Sequence, residues 1–468
     1  MAFRAAAAAC LALAIGAGAV QAESPEPPDP AYRGLRYLDD FCKADAKAAP
    51  DPFAPLKCAP LGDGPLGRSY LTLGGEARER FETYGHINFG LSKAPAVDHY
   101  LLQRLLLNAD LHVTDYFRAF AQLGHMERFG ERGVASTTDV DRGELMQAFV
   151  DLKAPGPFGD RPTLRIGREE LLFGWQRLIA VREGPNVRRA FDGVRFTDTV
   201  GAIAFDAFAV RPVVDNEGTF DDVANPAQWL SGVYLSAPVP GLAALKSDLY
   251  WLGYERDGAK FRGLTGDEKR QTFGARLFGD ANGFDWNFEG DCQLGTFRNL
   301  DIRAYWLAAS TGYRFESVPW TPRLGLQAND ASGDRGGSTL GTFNALYPRL
   351  PYFAEIALLV PSNIRDVRET LTFNPINSVQ VVLGYDMLWR DSTKDGLYGS
   401  GESLFAGTSA SNVTGARIGQ ESSLDVRWRV DQHLSLGAIA AALQAGPALT
   451  EAGGKDVKFG VLYAKYKF

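Results

Sequence analysis

The densest cluster of ionisable side chains in this sequence lies between residues 164 and 195. Its arginines are Arg165, Arg168, Arg177, Arg182, Arg188, Arg189 and Arg195, and its carboxylates are Glu169, Glu170, Glu183 and Asp192. Planar guanidinium groups recognise carboxylates through paired hydrogen bonds. Interleaved carboxylates weaken that attraction, so that a bound anion can also leave. The block therefore predicts a region that attracts acidic solutes and releases them again.

The chain as a whole is acidic although it is rich in arginine. Its formal net charge is −7, and 36 of its 49 basic residues are Arg. Removal of a predicted signal peptide containing Arg4 changes −7 to −8, which argues against nucleic acid as a partner. We therefore expect the positive charge to be concentrated in one part of the molecule.

Enzyme and metal chemistry find little support in the sequence. The chain has five His, and no His, Cys or carboxylate cluster has metal-ligand spacing. It contains neither a G-x-S-x-G elbow nor a P-loop. An outer-membrane hydrolase would need a His base beside a nucleophile. Of the pair His112 and His125, which we considered for this role, neither adjoins a strand Ser in phase. We predict no enzyme activity, no metal and no cofactor.

The first 69 residues differ in composition from the rest. Residues 1–22 are predicted to be a signal peptide, with Arg4 as the only charge, an Ala- and Leu-rich run, and a small-residue cleavage site at Val20-Gln21-Ala22. Residues 23–69 are rich in proline and predict an irregular periplasmic segment. An exported chain meets an oxidising compartment, so Cys42 and Cys58 can form a disulfide, and two free thiols are the alternative.

From residue 70 to residue 468 the side chains alternate with a period of two, which indicates strands. In 284–294, Phe284, Trp286, Phe288, Cys292 and Leu294 share one face, opposite the acidic side chains of that stretch. The same alternation occurs in 71–82, 101–113 and 416–430. In 416–430, the apolar face is predicted to hold Ile418, Leu424 and Trp428.

Either a soluble sandwich or a membrane barrel produces such alternation. The segments run to about 10–14 residues, longer than the ~5–6 of soluble strands and suited to a tilted crossing. After the signal, no apolar run reaches the length of a spanning helix. A charge on the lipid face near the midplane costs about 2–4 kcal/mol, so the charged face is the inner one. We predict an all-β, single-chain antiparallel transmembrane β-barrel of about 18 strands over 70–468, in the outer membrane of a Gram-negative bacterium.

The expected strands begin near residues 70, 100, 116, 144, 162, 191, 201, 228, 245, 269, 283, 300, 321, 363, 378, 416, 433 and 457. Short periplasmic turns are predicted at Thr114-Asp115 and Asp431-Gln432. Outer loops are predicted at 83–99, 127–143, 212–227, 257–268, 331–362, 391–415 and 445–456. Between the strand ends of the 164–195 block the alternation is poor, and such backbone cannot face lipid. We expect it to fold into the lumen as a constriction; the alternative is a solvated loop with structural ion pairs.

The chain ends in an alternating strand that stops on an aromatic residue. Leu462, Ala464, Tyr466 and Phe468 are predicted to face lipid, and Lys465 and Lys467 to face the lumen. A terminal strand closing on Phe resembles the assembly signal of bacterial outer-membrane barrels, which implies the barrel-assembly machinery as a partner.

Several stretches of the sequence resemble the alginate export family of outer-membrane porins. The 164–195 block carries the most specific likeness. Further matching stretches are Asp51-Pro-Phe-Ala-Pro-Leu-Lys57, Leu71-Thr-Leu-Gly-Gly-Glu-Ala-Arg-Glu-Arg80, Tyr100-Leu-Leu-Gln-Arg-Leu-Leu-Leu107, Gln147-Ala-Phe-Val-Asp-Leu152, Ser332-Gly-Asp-Arg335, Thr342-Phe-Asn-Ala-Leu-Tyr-Pro348 and Trp389-Arg-Asp-Ser-Thr393. The resemblance spans about residues 35 to 468. It implies an 18-stranded barrel, an Arg-lined lumen and passage of an anionic polysaccharide. The Cys42/Cys58 pair and several loops depart from the family pattern, which leaves the solute open.

The residues predicted to line the pore are Arg78, Arg80, Arg104, Arg118, Arg165, Arg168, Arg188, Arg189, Arg276, Arg303, Arg323, Arg390, Arg427, Arg429 and Lys465. Their predicted counter-charges are Glu169, Asp192, Asp285, Glu289 and Asp291. The sequence thus predicts an outer-membrane channel for acidic, alginate-like poly- or oligosaccharide. The alternatives are a porin for uptake of small acidic metabolites and a receptor barrel with a filled lumen. Expected partners are outer-membrane lipid, an anionic saccharide or acidic solute, and periplasmic export proteins.

Overall fold

The computed structural model describes residues 32–39, 41–43, 51–130, 133, 136–154, 162–409 and 411–468. The predicted signal peptide and the first part of the proline-rich segment lie outside the described residues. The predictions for residues 1–22 therefore stay predictions.

Eighteen antiparallel strands form one closed barrel. They are β1 Gly67–Gly85, β2 Val97–His112, β3 Phe117–Phe129, β4 Asp141–Lys153, β5 Thr163–Glu169, β6 Phe191–Val200, β7 Ile203–Val214, β8 Gln228–Pro238, β9 Leu245–Phe261, β10 Leu264–Ala281, β11 Phe284–Phe297, β12 Leu300–Arg314, β13 Arg323–Ala331, β14 Ile364–Ile376, β15 Val379–Trp389, β16 Arg417–Arg429, β17 Leu434–Ala445 and β18 Val457–Lys467. Each strand pairs with the next in sequence, and β18 pairs with β1 from Glu76↔Lys467 to Gly85↔Lys458. Closure leaves no open sheet edge, which a bilayer requires. The predicted fold and strand count are confirmed.

Little other secondary structure occurs in the described residues. The short strands are Ala59–Gly64, which extends the sheet beside β1, and Val223–Ala224, Thr339–Leu340, Tyr398–Gly399 and Ser403–Leu404. The helical pieces are the 3₁₀ turns Arg36–Leu38, Phe41–Lys43, Ala54–Leu56, Ile87–Gly90 and Ser400–Glu402 and the single α-helical turn Pro447–Thr450. None of the helices in the described part of the chain has the length and apolar character needed to span a membrane.

The two ends of the barrel differ in their connections. Tight turns join the strands at the end that holds the chain termini, as in periplasmic turns of this class. Most of the predicted long loops are found at the opposite end, which we call the outer end. One differs: β9 reaches Phe261 and β10 starts at Leu264, so 257–268 is a hairpin rather than a loop. Arg262 and Gly263 both have positive φ, as the tight turn of a hairpin requires.

The outer surface of the barrel is apolar where the lipid is expected. Leu107, Leu307 and Leu462 are 59%, 57% and 61% exposed, and such a continuous apolar belt needs lipid around it. Glu76 and Arg104 point into the barrel, as do the residues two positions away from them on the same strands. Ile418 differs from the prediction, because it is fully buried inside. A register shift between Leu388 and Trp389 of the neighbouring strand changes the phase of β16 at this point.

Two outer connections fold into the barrel and narrow its interior. Residues 170–190 and 332–363 meet at a parallel bridge between Ile179 and Tyr347. Leu171, Phe343 and Tyr352 lie in the apolar cluster that these segments share. The expected inward fold of the stretch between the strand ends of the 164–195 block is thus confirmed.

The segment before β1 packs into the end of the barrel that holds the termini. Cys42 and Cys58 form a disulfide. The Tyr37 ring meets Phe149, an inward residue of β4, at 5.3 Å between centroids. Arg36 donates hydrogen bonds of 2.9 Å to the carbonyls of Gly75 and Phe468. This segment therefore contacts both the lumen wall and the last residue of the chain.

Candidate functional site: the charged lumen

The barrel encloses a cavity of 3120 Å³. At the end that holds the termini its walls include Tyr32 and Lys57, and towards the outer end they include Ser136 and Thr138. Between these levels it passes the inward segment 170–190. The cavity therefore follows the barrel axis along much of its length.

The cavity wall carries an excess of positive charge. Fifteen basic side chains face nine acidic ones, which leaves six positive charges in a chain whose net charge is −7. The basic residues are Arg33, Lys57, Arg78, Arg80, Arg165, Arg188, Arg195, Arg314, Arg323, Arg349, Arg368, Arg427, Arg429, Lys465 and Lys467; the acidic ones are Asp39, Asp51, Glu76, Glu82, Asp139, Glu183, Asp206, Glu355 and Asp425. The lining is thus positive in an acidic chain, and four carboxylates that pair with lining arginines from behind the wall, Asp151, Glu169, Glu170 and Asp285, reduce this excess.

Eight of the fifteen basic residues that the sequence predicted for the pore line this cavity. They are Arg78, Arg80, Arg165, Arg188, Arg323, Arg427, Arg429 and Lys465. They lie on inward positions of β1, β5, β13, β16 and β18 and on the inward segment 170–190, because alternation in the strands sends every second side chain to the lumen.

A network around Glu183 holds the inward segment to the barrel wall. Arg104 of β2 binds Glu76 of β1 at 2.6 Å and Glu183 at 2.7 Å. Lys465 of β18 lies 3.3 Å from Glu183, and Arg188 lies 3.4 Å from it. A single carboxylate therefore joins three cations from two strands and from its own segment.

The predicted counter-charges are all engaged with donors in the barrel interior. Arg168 binds Asp192 at 2.8 Å, and Arg323 binds Asp285 at 2.5 Å. Glu169 accepts from Arg165 at 3.0 Å. Further along the wall, Glu289 binds Arg177 at 2.5 Å, and Asp291 accepts a hydrogen bond of 2.7 Å from Tyr250. These pairs stabilise the inward geometry, since a buried charge without a partner is costly.

Arg78 and Arg349 differ from the paired arginines. Arg78 donates to the carbonyls of Glu183 and Pro185 at 2.8 and 2.9 Å. Arg349 lies over the rings of Trp175 and Tyr352 at 5.8 and 5.6 Å. In the described part of the chain, no carboxylate lies within ion-pair distance of either guanidinium. Both therefore contribute charge to the lumen that no bound carboxylate cancels.

Several predicted pore residues lie away from the cavity. Arg104, Arg118 and Arg276 point inward but are buried in ion pairs, with Arg276 held by Asp248 at 2.9 Å. Arg168 is held by Asp192, and Arg189 packs 4.9 Å from the Tyr347 ring. These arginines stabilise the wall and the inward segments.

For two residues, Arg303 and Arg390, the prediction that they line the pore is wrong. Ile302 and Ala304 are buried in the interior, so Arg303 between them points outward, and its side chain is 60% exposed. The prediction failed because, near the outer end of β12, the apolar face is the inner one. Arg390 follows β15 and donates to the carbonyls of Asp395 and Gly415 at 2.9 and 3.0 Å. It fixes the loop after β15.

The sequence reasoning missed several cavity residues. Arg368 has an inward neighbour in phase, Asp366, and binds Glu355 of the inward segment at 2.7 Å; the alternation of β14 contained that signal. Arg195 lies in phase with Gly193 on β6 and binds Asp206 at 2.6 Å. Arg349 had no such signal, because its position depends on the tertiary fold of residues 332–363.

Lys57 brings a titratable cation to the end of the cavity beside the termini. Its Nζ donates to the Leu73 carbonyl at 2.7 Å. Burial, and next the nearby Arg36 guanidinium, lower the pKa of Lys57 to about 8. A change in pH near neutrality therefore alters the charge of this end of the lumen.

A closed 18-stranded barrel with an apolar outer belt and a charged internal cavity defines an outer-membrane channel. The family model described as alginate export matches residues 69–461, and the chain belongs to this family. A comparison with curated proteins finds no match.

Solved structures with the same fold include three proteins of Pseudomonas. A BenF-like porin from Pseudomonas fluorescens Pf-5 has 8% identity and a TM-score of 0.59, covering 85% of this chain and 98% of its own. OccK2 (OpdF) from Pseudomonas aeruginosa, solved in complex with glucuronate, has 11% identity and a TM-score of 0.58, with coverages of 85% and 98%. OccK11 (OpdR) from the same species has 13% identity and a TM-score of 0.56, with coverages of 85% and 96%. At these identities the likeness concerns the fold.

Proposed function

We propose that the protein is a passive outer-membrane channel for anionic solutes and that acidic poly- or oligosaccharides of alginate type are its substrate class. The observation that carries this proposal is the excess of six positive charges on the cavity wall of an acidic chain. A wet lumen with fixed charge of one sign concentrates ions of the other sign. Membership of the alginate export family supports the same substrate class.

In the proposed passage, Arg78 and Arg349 attract the carboxylates of the solute. Arg78 is only 3% exposed on the cavity wall, and backbone carbonyls of the inward segment fix its position, so it attracts the solute through its electric field. Arg349 also lies on the cavity wall, 5.8 Å from the centroid of the Trp175 ring. The neighbouring ion pairs keep the local attraction moderate, which passage requires.

Acidic oligosaccharides and small acidic metabolites both carry carboxylates that these arginines attract. The second candidate function is uptake of small acidic metabolites, and OccK2 (OpdF), solved in complex with glucuronate, has the same fold. A monomer needs one guanidinium contact at a time, whereas an oligomer engages several at once and gains from multivalency. The two candidates therefore differ in how block depends on chain length.

The test is single-channel recording of the full mature chain in planar bilayers, with uronate monomers and oligomers as blockers. We expect anion selectivity and a block whose affinity rises with oligomer length. Arg78→Gln and Arg349→Gln should each weaken both properties. Arg298→Gln is the matched control, because Arg298 is exposed at an outer turn, where it donates to the Thr265 carbonyl.

Two results would decide against parts of this proposal. Cation selectivity, or equal behaviour of Arg78→Gln and wild type, contradicts the anion channel. Block by monomers that does not strengthen with length favours the metabolite porin. We further propose that the barrel-assembly machinery inserts the chain and that periplasmic export proteins deliver the solute; pull-down from solubilised membranes tests both partners.

A further inference from the structure

Three carboxylates meet at the outer end of the barrel, away from the cavity described above. Side-chain oxygens of Asp141, Glu144 and Asp222 lie within 4.8 Å of one another. Asp141 is the first residue of β4 and Glu144 is its fourth. Asp222 is the last residue of the outer loop 215–222. Oxygen ligands of this kind suit hard divalent cations.

A bulge brings the two β4 carboxylates to the same face. Residues three apart in a regular strand point to opposite faces. Here Gly143 has a φ of +74°, and the pairing with β3 shifts between Gly124 and Met126. As a result, Asp141 and Glu144 are both buried, at 0% and 3% exposure. The local backbone is thus shaped to place two carboxylates side by side.

The loop that carries Asp222 is fixed to β4. The Arg142 amide donates to the Gly218 carbonyl at 3.0 Å, and the Thr219 hydroxyl donates to the Arg142 carbonyl at 2.7 Å. The Asp222 amide donates to Glu144 Oε2 at 3.4 Å. Asp222 is half-buried, so solvent and ions can reach the cluster from its side.

Asp141 supplies an independent observation that points to a ligand. Both of its carboxylate oxygens are buried, and neither has a hydrogen-bond partner among the described residues. The charges that act on it most strongly are the carboxylates Asp222, Asp215, Glu144 and Asp221. A buried carboxylate surrounded by others is strongly unfavourable unless it binds a proton or a cation joins it, and the calcium titration below separates these two cases.

Two arginines beside the cluster are committed to other carboxylates. Arg168 lies 3.6 Å from Glu144 but forms its shorter contact with Asp192, at 2.8 Å. Arg182 binds Asp215 at 3.1 Å. The cluster therefore has more carboxylates than the two arginines neutralise.

We propose that Asp141, Glu144 and Asp222 bind a divalent cation of the calcium type, which ties the outer loop 215–222 to the start of β4. Calcium takes six to eight oxygens in flexible geometry, so water completes the shell on the exposed side of Asp222. Magnesium demands a near-ideal octahedron and suits this mixed strand and loop site less well. By fixing the outer loop, the cation would also hold Asp215 beside Arg182 of the inward segment 170–190.

The test is titration calorimetry with CaCl₂ on the full mature chain, refolded in a non-ionic detergent without lipopolysaccharide and treated with a chelator. Lipopolysaccharide must be absent, because its phosphates bind calcium. Wild type is expected to bind one ion with a Kd on the order of 10⁻⁴–10⁻³ M, as extracellular calcium modules do. Asp141→Asn and Asp222→Asn should each weaken binding by about tenfold or more, because affinity follows the number of ligand charges.

Glu217→Gln is the matched control, because it removes one carboxylate from the same loop outside the cluster, where the side chain is 62% exposed. It should bind calcium as wild type does. Thermal unfolding gives a second readout: calcium should stabilise wild type and leave Asp141→Asn unchanged. In chelator alone, Asp141→Asn should unfold at a temperature no lower than wild type, because it lacks the buried unpaired charge. Absence of binding by wild type, or equal binding by wild type and Asp222→Asn, overturns the proposal.

Discussion

Glu183 offers a sharp test of the electrostatics of the lumen. Its carboxylate lines the cavity and pairs with Arg104, Lys465 and Arg188. Glu183→Gln removes one negative charge while it keeps the size of the side chain and its ability to accept hydrogen bonds. Arg104 retains Glu76 as a partner at 2.6 Å. We expect the inward segment to stay in place and the lumen to become more positive.

The size of the effect follows from Coulomb's law in a wet lumen. An ion that passes about 7 Å from the carboxylate interacts with it by about 0.6 kcal/mol in water. At 0.1 M salt the Debye length of about 10 Å reduces this energy to about 0.3 kcal/mol. Loss of the charge then favours anions and disfavours cations by about 1.7-fold each, so the anion-to-cation permeability ratio should rise about threefold.

The assay is the reversal potential of the reconstituted channel across a KCl gradient. Glu217→Gln serves as the control, since it removes the same charge from an exposed outer loop. At 1 M salt the Debye length falls to about 3 Å, and the shift should nearly vanish. A shift towards cations, or one that Glu217→Gln reproduces, refutes the reasoning. A shift that persists at 1 M salt would instead indicate that the inward segment has moved.

Three further predictions concern the segment before β1 and the last strand. A lysine is charged below its pKa, so the charge of Lys57 is lost as the pH rises through about 8; anion selectivity should fall between pH 7 and 9 in wild type, and this step should be absent from Lys57→Met. Replacement of Cys42 and Cys58 by Ser removes the disulfide, which for a loop of this length weakens docking of the segment by about 3 kcal/mol; limited proteolysis should then cut the segment while the barrel resists. Phe468 packs on Phe53 at 4.9 Å between ring centroids, and Phe468→Ala should lower the yield of folded barrel, measured as the heat-modifiable band in gel electrophoresis. An unchanged yield would contradict a role of this residue in assembly.

The strands could be predicted from the sequence because lipid and lumen impose opposite chemistry on alternate side chains. Leu105 and Leu107 point to lipid, and Arg104 and Asn108 point inward, as their spacing indicated. The prediction failed where that contrast ends. Arg303 lies near the outer end of β12, where the interior is apolar and the outside is wet. Ile418 follows a register shift, which a strict period of two does not foresee.

The candidate site could be predicted only in part. Residues of regular strands, such as Arg78 and Arg323, were found because alternation gives their direction. Arg349 was missed, because its place in the cavity depends on how residues 332–363 fold into the barrel and meet 170–190. The sequence also gave no means to tell which inward arginines would be buried in pairs, since the partner of Arg276, Asp248, lies on the neighbouring strand.

The arginines of the interior therefore divide by the kind of acceptor that each one meets. Those bound to carboxylates, such as Arg104 and Arg276, hold the wall and the inward segments and add no net charge. Arg78 is bound by carbonyls, which fix a guanidinium without cancelling its charge. The positive excess of the lumen thus depends on a few such positions rather than on the number of arginines. Substitution of an arginine that is bound to a carboxylate should reduce the stability of the barrel. Substitution of an arginine that is bound to carbonyls should reduce anion selectivity while the barrel still folds.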